Sequence, residues 1–126
     1  MKSIEWLAGL LEGEGCFSSM PSGSSGLYTT PVVQVAMTDK DVIANAHEVF
    51  EHIGGRGINT RERQLPSGKT CYHLSVTGLP AVRIMCSVLP YMGNRREEAI
   101  LGVIAEWNPV KYKEAVAFKQ QIQGVA

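Results

Sequence analysis

Between residues 7 and 15 the chain reads Leu7-Ala8-Gly9-Leu10-Leu11-Glu12-Gly13-Glu14-Gly15, and the spacing within it carries chemistry. Gly9 and Gly13 stand four apart, on one face of a helix, where small residues let two helix backbones approach closely. Each internal Gly costs a soluble helix roughly 0.5–1 kcal/mol relative to Ala, so a pair needs a reason. Glu14 falls at the C-terminal end of that helix, where the macrodipole is negative and a carboxylate is poorly placed. A bound cation would remove that conflict. The plainer account is a helix that frays at Gly13, with Glu12 and Glu14 in water.

Periodicity supplies the elements that must position these residues. Ile4, Leu7, Leu10 and Leu11 recur at helical spacing behind Ser3, a fair N-cap, so a helix is expected over about 3–13. Residues 14–20 shift toward a strand, with Phe17 as its one large apolar residue. Residues 18–30 are rich in Ser and Gly and are expected to form a mobile loop. Val32 to Met37 has the composition of a strand. Thr38 or Asp39 can cap a helix over about 39–53, which stops at Gly54-Gly55. Segments 57–64 and 69–76 flank Leu65-Pro66-Ser67-Gly68, a turn signal, and make a hairpin. Helices are expected over 79–89, 93–106 and about 109–122, the first opened by Pro80 and the last by Asn108-Pro109. The order α-β-β-α-β-β-α, with extra helices after it, predicts an α+β fold: a four-stranded antiparallel sheet with helices on one face.

Strand alternation divides the sheet. Val33, Val35, Met37, Tyr72, Leu74 and Val76 fit the covered face. The open face then carries Gln34, Asn59, Arg61, Arg63, Lys69, His73 and Ser75, with Ala36 and Cys71. These polar types read base edges and phosphates: Arg to guanine, Asn or Gln to adenine, Lys to phosphate. An antiparallel sheet with one solvated polar face is the default that this reading competes with.

The 126 residues, 44% hydrophobic and 19% charged, make a single domain over 1–126 and exclude a disordered tail. The apolar runs are far short of the ~20 residues that cross a bilayer, so no membrane is expected. Cys16, Cys71 and Cys86, odd in number and without C-x-x-C spacing, point to a reduced, intracellular setting. Formal charge sums to zero, but residues 1–54 hold two Lys/Arg against seven Asp/Glu. Residues 55–76 hold four against one. The basic signature of a nucleic-acid binder is therefore local.

The segment from Leu7 resembles the LAGLIDADG motif of the homing endonucleases, with Leu-Leu-Glu-Gly-Glu-Gly in place of Leu-Ile-Asp-Ala-Asp-Gly. The element order behind it, and a basic residue after Pro90-Tyr91-Met92, agree with the same family over roughly residues 3–106. The resemblance implies that Glu14 is the acidic residue that binds divalent metal beside the scissile phosphates, with the Gly13 carbonyl as a second candidate ligand. It implies Mg²⁺, which takes oxygen ligands and shares them with phosphates. It implies phosphodiester hydrolysis, with Arg95 as the charge near the phosphate and Arg96 as the spare candidate. Asp39 stands where the family often has a water-positioning Gln; this departure leaves it equally an N-cap. One motif copy is half an active site, so the resemblance implies a homodimer with Leu7, Gly9, Leu10, Leu11 and Gly13 at the seam. A near-palindromic double-stranded DNA target follows, with the 18–30 loop ordering on flanking DNA.

The same scaffold also serves intron RNA maturases and non-cleaving DNA-binding regulators, so intron RNA is a further candidate partner. An unrelated α+β interaction module would leave the paired glycines and Glu14 unexplained. His47 and His52 lie off one helical face and pair with no Cys at a zinc spacing.

Overall fold

The computed structural model of the chain describes residues 1–22 and 28–123. Helix α1 (Ile4–Glu14) leads into strands β1 (Gly15–Ser22) and β2 (Tyr28–Met37), followed by α2 (Lys40–Gly54), β3 (Ile58–Gln64) and β4 (Thr70–Thr77). Helix α3 (Leu79–Val88), a 3₁₀ turn (Leu89–Tyr91), α4 (Asn94–Trp107) and α5 (Pro109–Ile122) complete it. The strands form one antiparallel sheet in the order β1-β2-β4-β3. The α+β architecture expected from the sequence is therefore the one observed.

Local chemistry explains most element ends. The Ser3 hydroxyl accepts the Trp6 N–H at 3.1 Å and caps α1. Helix α2 stops where Gly55 takes a φ of 87°, its N–H donating to the Glu51 carbonyl. The turn between β3 and β4 closes through Leu65 N–H to the Lys69 carbonyl at 2.8 Å, with Gly68 at φ 88°.

The expected loop over 18–30 is mostly strand. Ser18 pairs with Val32, Met20 with Thr30 and Ser22 with Tyr28. Serine and proline have poor strand propensity, but a partner strand that satisfies the backbone overrides it. Residues 23–27 of that expected loop lie outside the described residues.

Alternation sets the core as expected. Val33, Val35, Leu74 and Val76 are buried, as is Phe17 opposite Val33. On them pack Leu7, Ala8 and Leu11 of α1, Ile43, Ala46 and Phe50 of α2, and the apolar faces of α3 and α4. No buried polar or charged residue occurs among the described residues.

Gly15 makes the tight exit from α1 into β1. A Cβ added there would lie 2.8 Å from the Leu11 carbonyl oxygen and 2.9 Å from Leu11 Cα, both backbone atoms that cannot step aside. Gly15→Ala should therefore destabilise the chain by about 1–3 kcal/mol, the usual range for overpacking, in urea titrations of the purified protein.

Candidate functional site

The open face of the sheet is a polar lattice. Cys16, Gln34, Ser75 and Asn59 are paired across all four strands in one row. The next row holds Ala36, His73 and Arg61, and the one beyond pairs Cys71 with Arg63. A hollow of about 440 Å³ is lined by Gln34, Arg61, Glu62, Arg63, His73 and Ser75, together with Leu74. Both arginines are exposed and make no ion pair among the described residues. His73 is half-buried, and its Nε2 is buried without a hydrogen-bond partner. Such an atom costs about 1–3 kcal/mol unless something bonds it, and here it lies beside the hollow.

Lys69 does not join this group. The strand starts one residue later, at Thr70, and Lys69 lines a separate depression with Thr38, Thr70 and Tyr72. The cause is the turn: Lys69 gives its carbonyl to closing the hairpin. Conversely, Ser18 and Met20 of β1 share the open-face parity with Cys16 and were not singled out in the sequence. Their strand is too poor in large apolar residues for alternation to reveal a face.

A second hollow, of about 290 Å³, joins the sheet to the acidic end of α1. Glu14, Cys16, Gln34, Val35, Ala36 and His73 line it, so it shares Gln34 and His73 with the first. Glu14 is the last residue of α1, exposed, with no hydrogen bond or ion pair to its carboxylate among the described residues. Arg95, in the first turn of α4, is exposed and likewise unpaired. Asp39 sits at the N-cap of α2 without a side-chain cap hydrogen bond and lines neither hollow.

Arg96 has a different fate from Arg95. Its Nε donates to the Glu12 carbonyl at 3.2 Å and its Nη1 donates to the Gly15 carbonyl. A guanidinium therefore already lies against the negative end of α1. The charge conflict at Glu14 that made a bound cation attractive is partly answered by the protein itself. Two of the five guanidinium N–H donors of Arg96 are thereby committed to α1, whereas Arg95 commits none among the described residues.

No group of three or more His, Cys, Asp or Glu side chains able to hold a metal occurs among the described residues. What Glu14 offers is one free carboxylate at a helix end. That does not fit an all-protein cage. It fits one ligand position of a hard divalent cation such as Mg²⁺, which takes oxygen ligands and keeps several waters.

The outer face of α1 also differs from expectation. Leu7 and Leu11 are 0% exposed in the single chain, so neither is free to face a second copy. They sit four apart on the side of α1 that meets the sheet, one turn above the other. Gly9 and Gly13 are exposed, Leu10 is half-buried, and an added Cβ at either glycine meets nothing within 4 Å. Trp6 shares this outer face, with the Lys2 ammonium 5.9 Å from its ring centre. On its flank the Tyr91 hydroxyl donates to Glu5 at 3.1 Å. The Glu5 carboxyl is held below its usual range, mainly by a hydrogen bond from its own backbone and then by Tyr91, whose phenol is raised in turn.

No family model matches this chain. No curated protein matches it either. Among solved structures it is similar to an archaeal intron-encoded homing endonuclease, I-Vdi141I, complexed with DNA. The match covers 98% of this chain and 83% of that one, with a TM-score of 0.55 at 15% identity. At that identity the likeness establishes a homing-endonuclease-like fold. Among the described residues no helix is long and apolar enough to cross a membrane.

Proposed function

We propose that this chain is a site-specific double-strand DNA endonuclease of the LAGLIDADG type, acting as a homodimer with Mg²⁺ on a near-palindromic target. One observation carries the reading: an unpaired carboxylate, Glu14, lines a hollow that shares Gln34 and His73 with the cationic, hydrogen-bonding face of an exposed sheet. A two-faced sheet with one solvated side explains the polar lattice but gives no reason for a free carboxylate beside it.

In this reading the sheet lies along the major groove. Gln34, Asn59 and Ser75 meet base edges from one row, while Arg61 and His73 meet the next. Arg63 and Lys69 contact phosphates toward the outer end. Glu14 and the Gly13 carbonyl would hold the cation, and Arg95 would offset charge on the scissile phosphate. Bound Mg²⁺ would lower the pKa of a water and neutralise charge growing on the phosphate and leaving oxygen. Asp39 remains a candidate for orienting that water. The fold and the solved neighbour in complex with DNA support the partner class.

The test begins with duplexes selected for binding from a randomised pool and cloned into a plasmid. Mg²⁺-dependent linearisation, lost in Glu14→Gln with binding retained, supports the nuclease. Binding without cutting in any divalent metal indicates a regulator, and preference for structured intron RNA a maturase.

The arginines give a separate expectation. Arg61→Ala and Arg63→Ala should each reduce the slope of log affinity against log salt by about 0.9 where they meet phosphate. A residue that reads a base instead relaxes preference at one position of the site, at about 1–3 kcal/mol. Fluorescence anisotropy across a salt series separates the two.

A further inference from the structure

We propose that Glu12 and Arg96 are positioning residues that lock the end of α1 to the start of α4, and so fix Glu14 relative to Arg95. The inference rests on the endonuclease reading above.

The two side chains exchange roles across the junction. The Glu12 carboxylate accepts the N–H of Gly93, the N-cap of α4, at 3.3 Å. The Gly93 N–H is one of those that the start of a helix leaves without a helical partner, and Glu12 satisfies it from another helix. Arg96, three residues further on, sends its guanidinium back to α1. Its two donors take the carbonyls of Glu12 and Gly15, which bracket Gly13 and Glu14. A planar guanidinium presents those donors in a fixed geometry that an ammonium cannot copy. Each helix end also receives the charge its dipole favours: a carboxylate at the N-terminus of α4 and a cation at the C-terminus of α1.

The same contact is sensitive to a side chain at Gly93: a Cβ there would lie 2.7 Å from Glu12 Oε1, so the carboxylate would have to move from its place against the Gly93 N–H. The lock leaves the neighbouring groups free: Glu14 and Arg95 are unpaired among the described residues. Neither Glu12 nor Arg96 need touch substrate. Their effect is that Glu14 cannot shift without carrying the first turn of α4, and Arg95, with it. Catalytic groups misplaced by about 1 Å can lose on the order of a hundredfold in rate, so such a lock bears on cleavage more than on binding.

The experiment measures single-turnover cleavage of the selected duplex by full-length variants, each held well below its own melting temperature. Arg96→Lys keeps the charge and loses the fork; its rate should fall by at least about tenfold, with a higher Mg²⁺ concentration at half-maximal rate. Its DNA dissociation constant should change by less than about twofold, because the sheet face is untouched. Glu12→Gln keeps an acceptor for Gly93 and should stay close to wild type, whereas Glu12→Ala and Gly93→Ala should behave like Arg96→Lys. Rates that fall only in proportion to the folded fraction, or Arg96→Lys cutting as fast as wild type, overturn the positioning role alone. A wild-type protein that cuts no selected duplex overturns the endonuclease reading, and the lock's catalytic role with it.

Discussion

Replacing Glu14 by Gln should slow DNA cleavage by about two orders of magnitude or more while leaving binding intact or tighter. The size follows from the role. Charge neutralisation by a metal at a reacting phosphate is worth several kcal/mol, and each 1.4 kcal/mol is about tenfold in rate. Gln keeps the volume and the acceptor oxygen but lacks the charge that holds a hard cation. Binding is spared because the contacting surface is the sheet, and because a carboxylate near phosphates repels them until a cation lies between. The helix end should not suffer either, since a carboxylate is poorly placed at a C-terminus. Single-turnover kinetics with Mg²⁺, and anisotropy with the metal chelated, read the two quantities separately. Wild-type cleavage by Glu14→Gln would remove the proposed chemistry at its centre.

The second large effect concerns the outer face of α1, where one substitution has opposite signs on two quantities. An added Cβ at Gly9 or Gly13 meets nothing within 4 Å in the single chain. Gly9→Ala and Gly13→Ala should therefore stabilise the protomer, by up to about 1 kcal/mol each, through helix propensity. If two copies meet glycine to glycine, the same methyl groups push the backbones apart and weaken the dimer. The double variant should then sediment as a folded monomer at concentrations where the wild type is a dimer, and double-strand cleavage should be lost. A double variant that sediments as a dimer and still cuts would place the seam elsewhere. Gly15, two residues from Gly13, answers oppositely because its missing Cβ is required by Leu11 rather than by a partner.

The contrast between Leu7 and Gly9 shows how far the motif could be read in the sequence. Periodicity separates the two faces of α1, but not which face meets the chain's own sheet and which is left for a second copy. Leu7 and Leu11, assigned to the seam from the resemblance, turn out to fill the core. Arg95 and Arg96 pose the same difficulty. Adjacent arginines project about 100° apart on a helix, and only the docking of α4 on α1 decides which is consumed. On the sheet, alternation correctly sorted β2 and β4, whose apolar residues mark a face, yet missed Ser18 and Met20 of β1.

By itself the sequence determined the order of the elements, the covered face of β2 and β4, and the glycine pair followed by Glu14. These depend on periods of 2 and 3.6 residues and on caps and turns, which are written in neighbouring positions. Tertiary structure alone decided that Glu14 opens onto the same ground as His73 and Gln34, that Arg96 spends its charge on α1, and that Glu12 caps α4. The last two contacts each join residues 81 positions apart. No local pattern encodes them, because they exist only once two helix ends with opposite partial charges have been packed against each other.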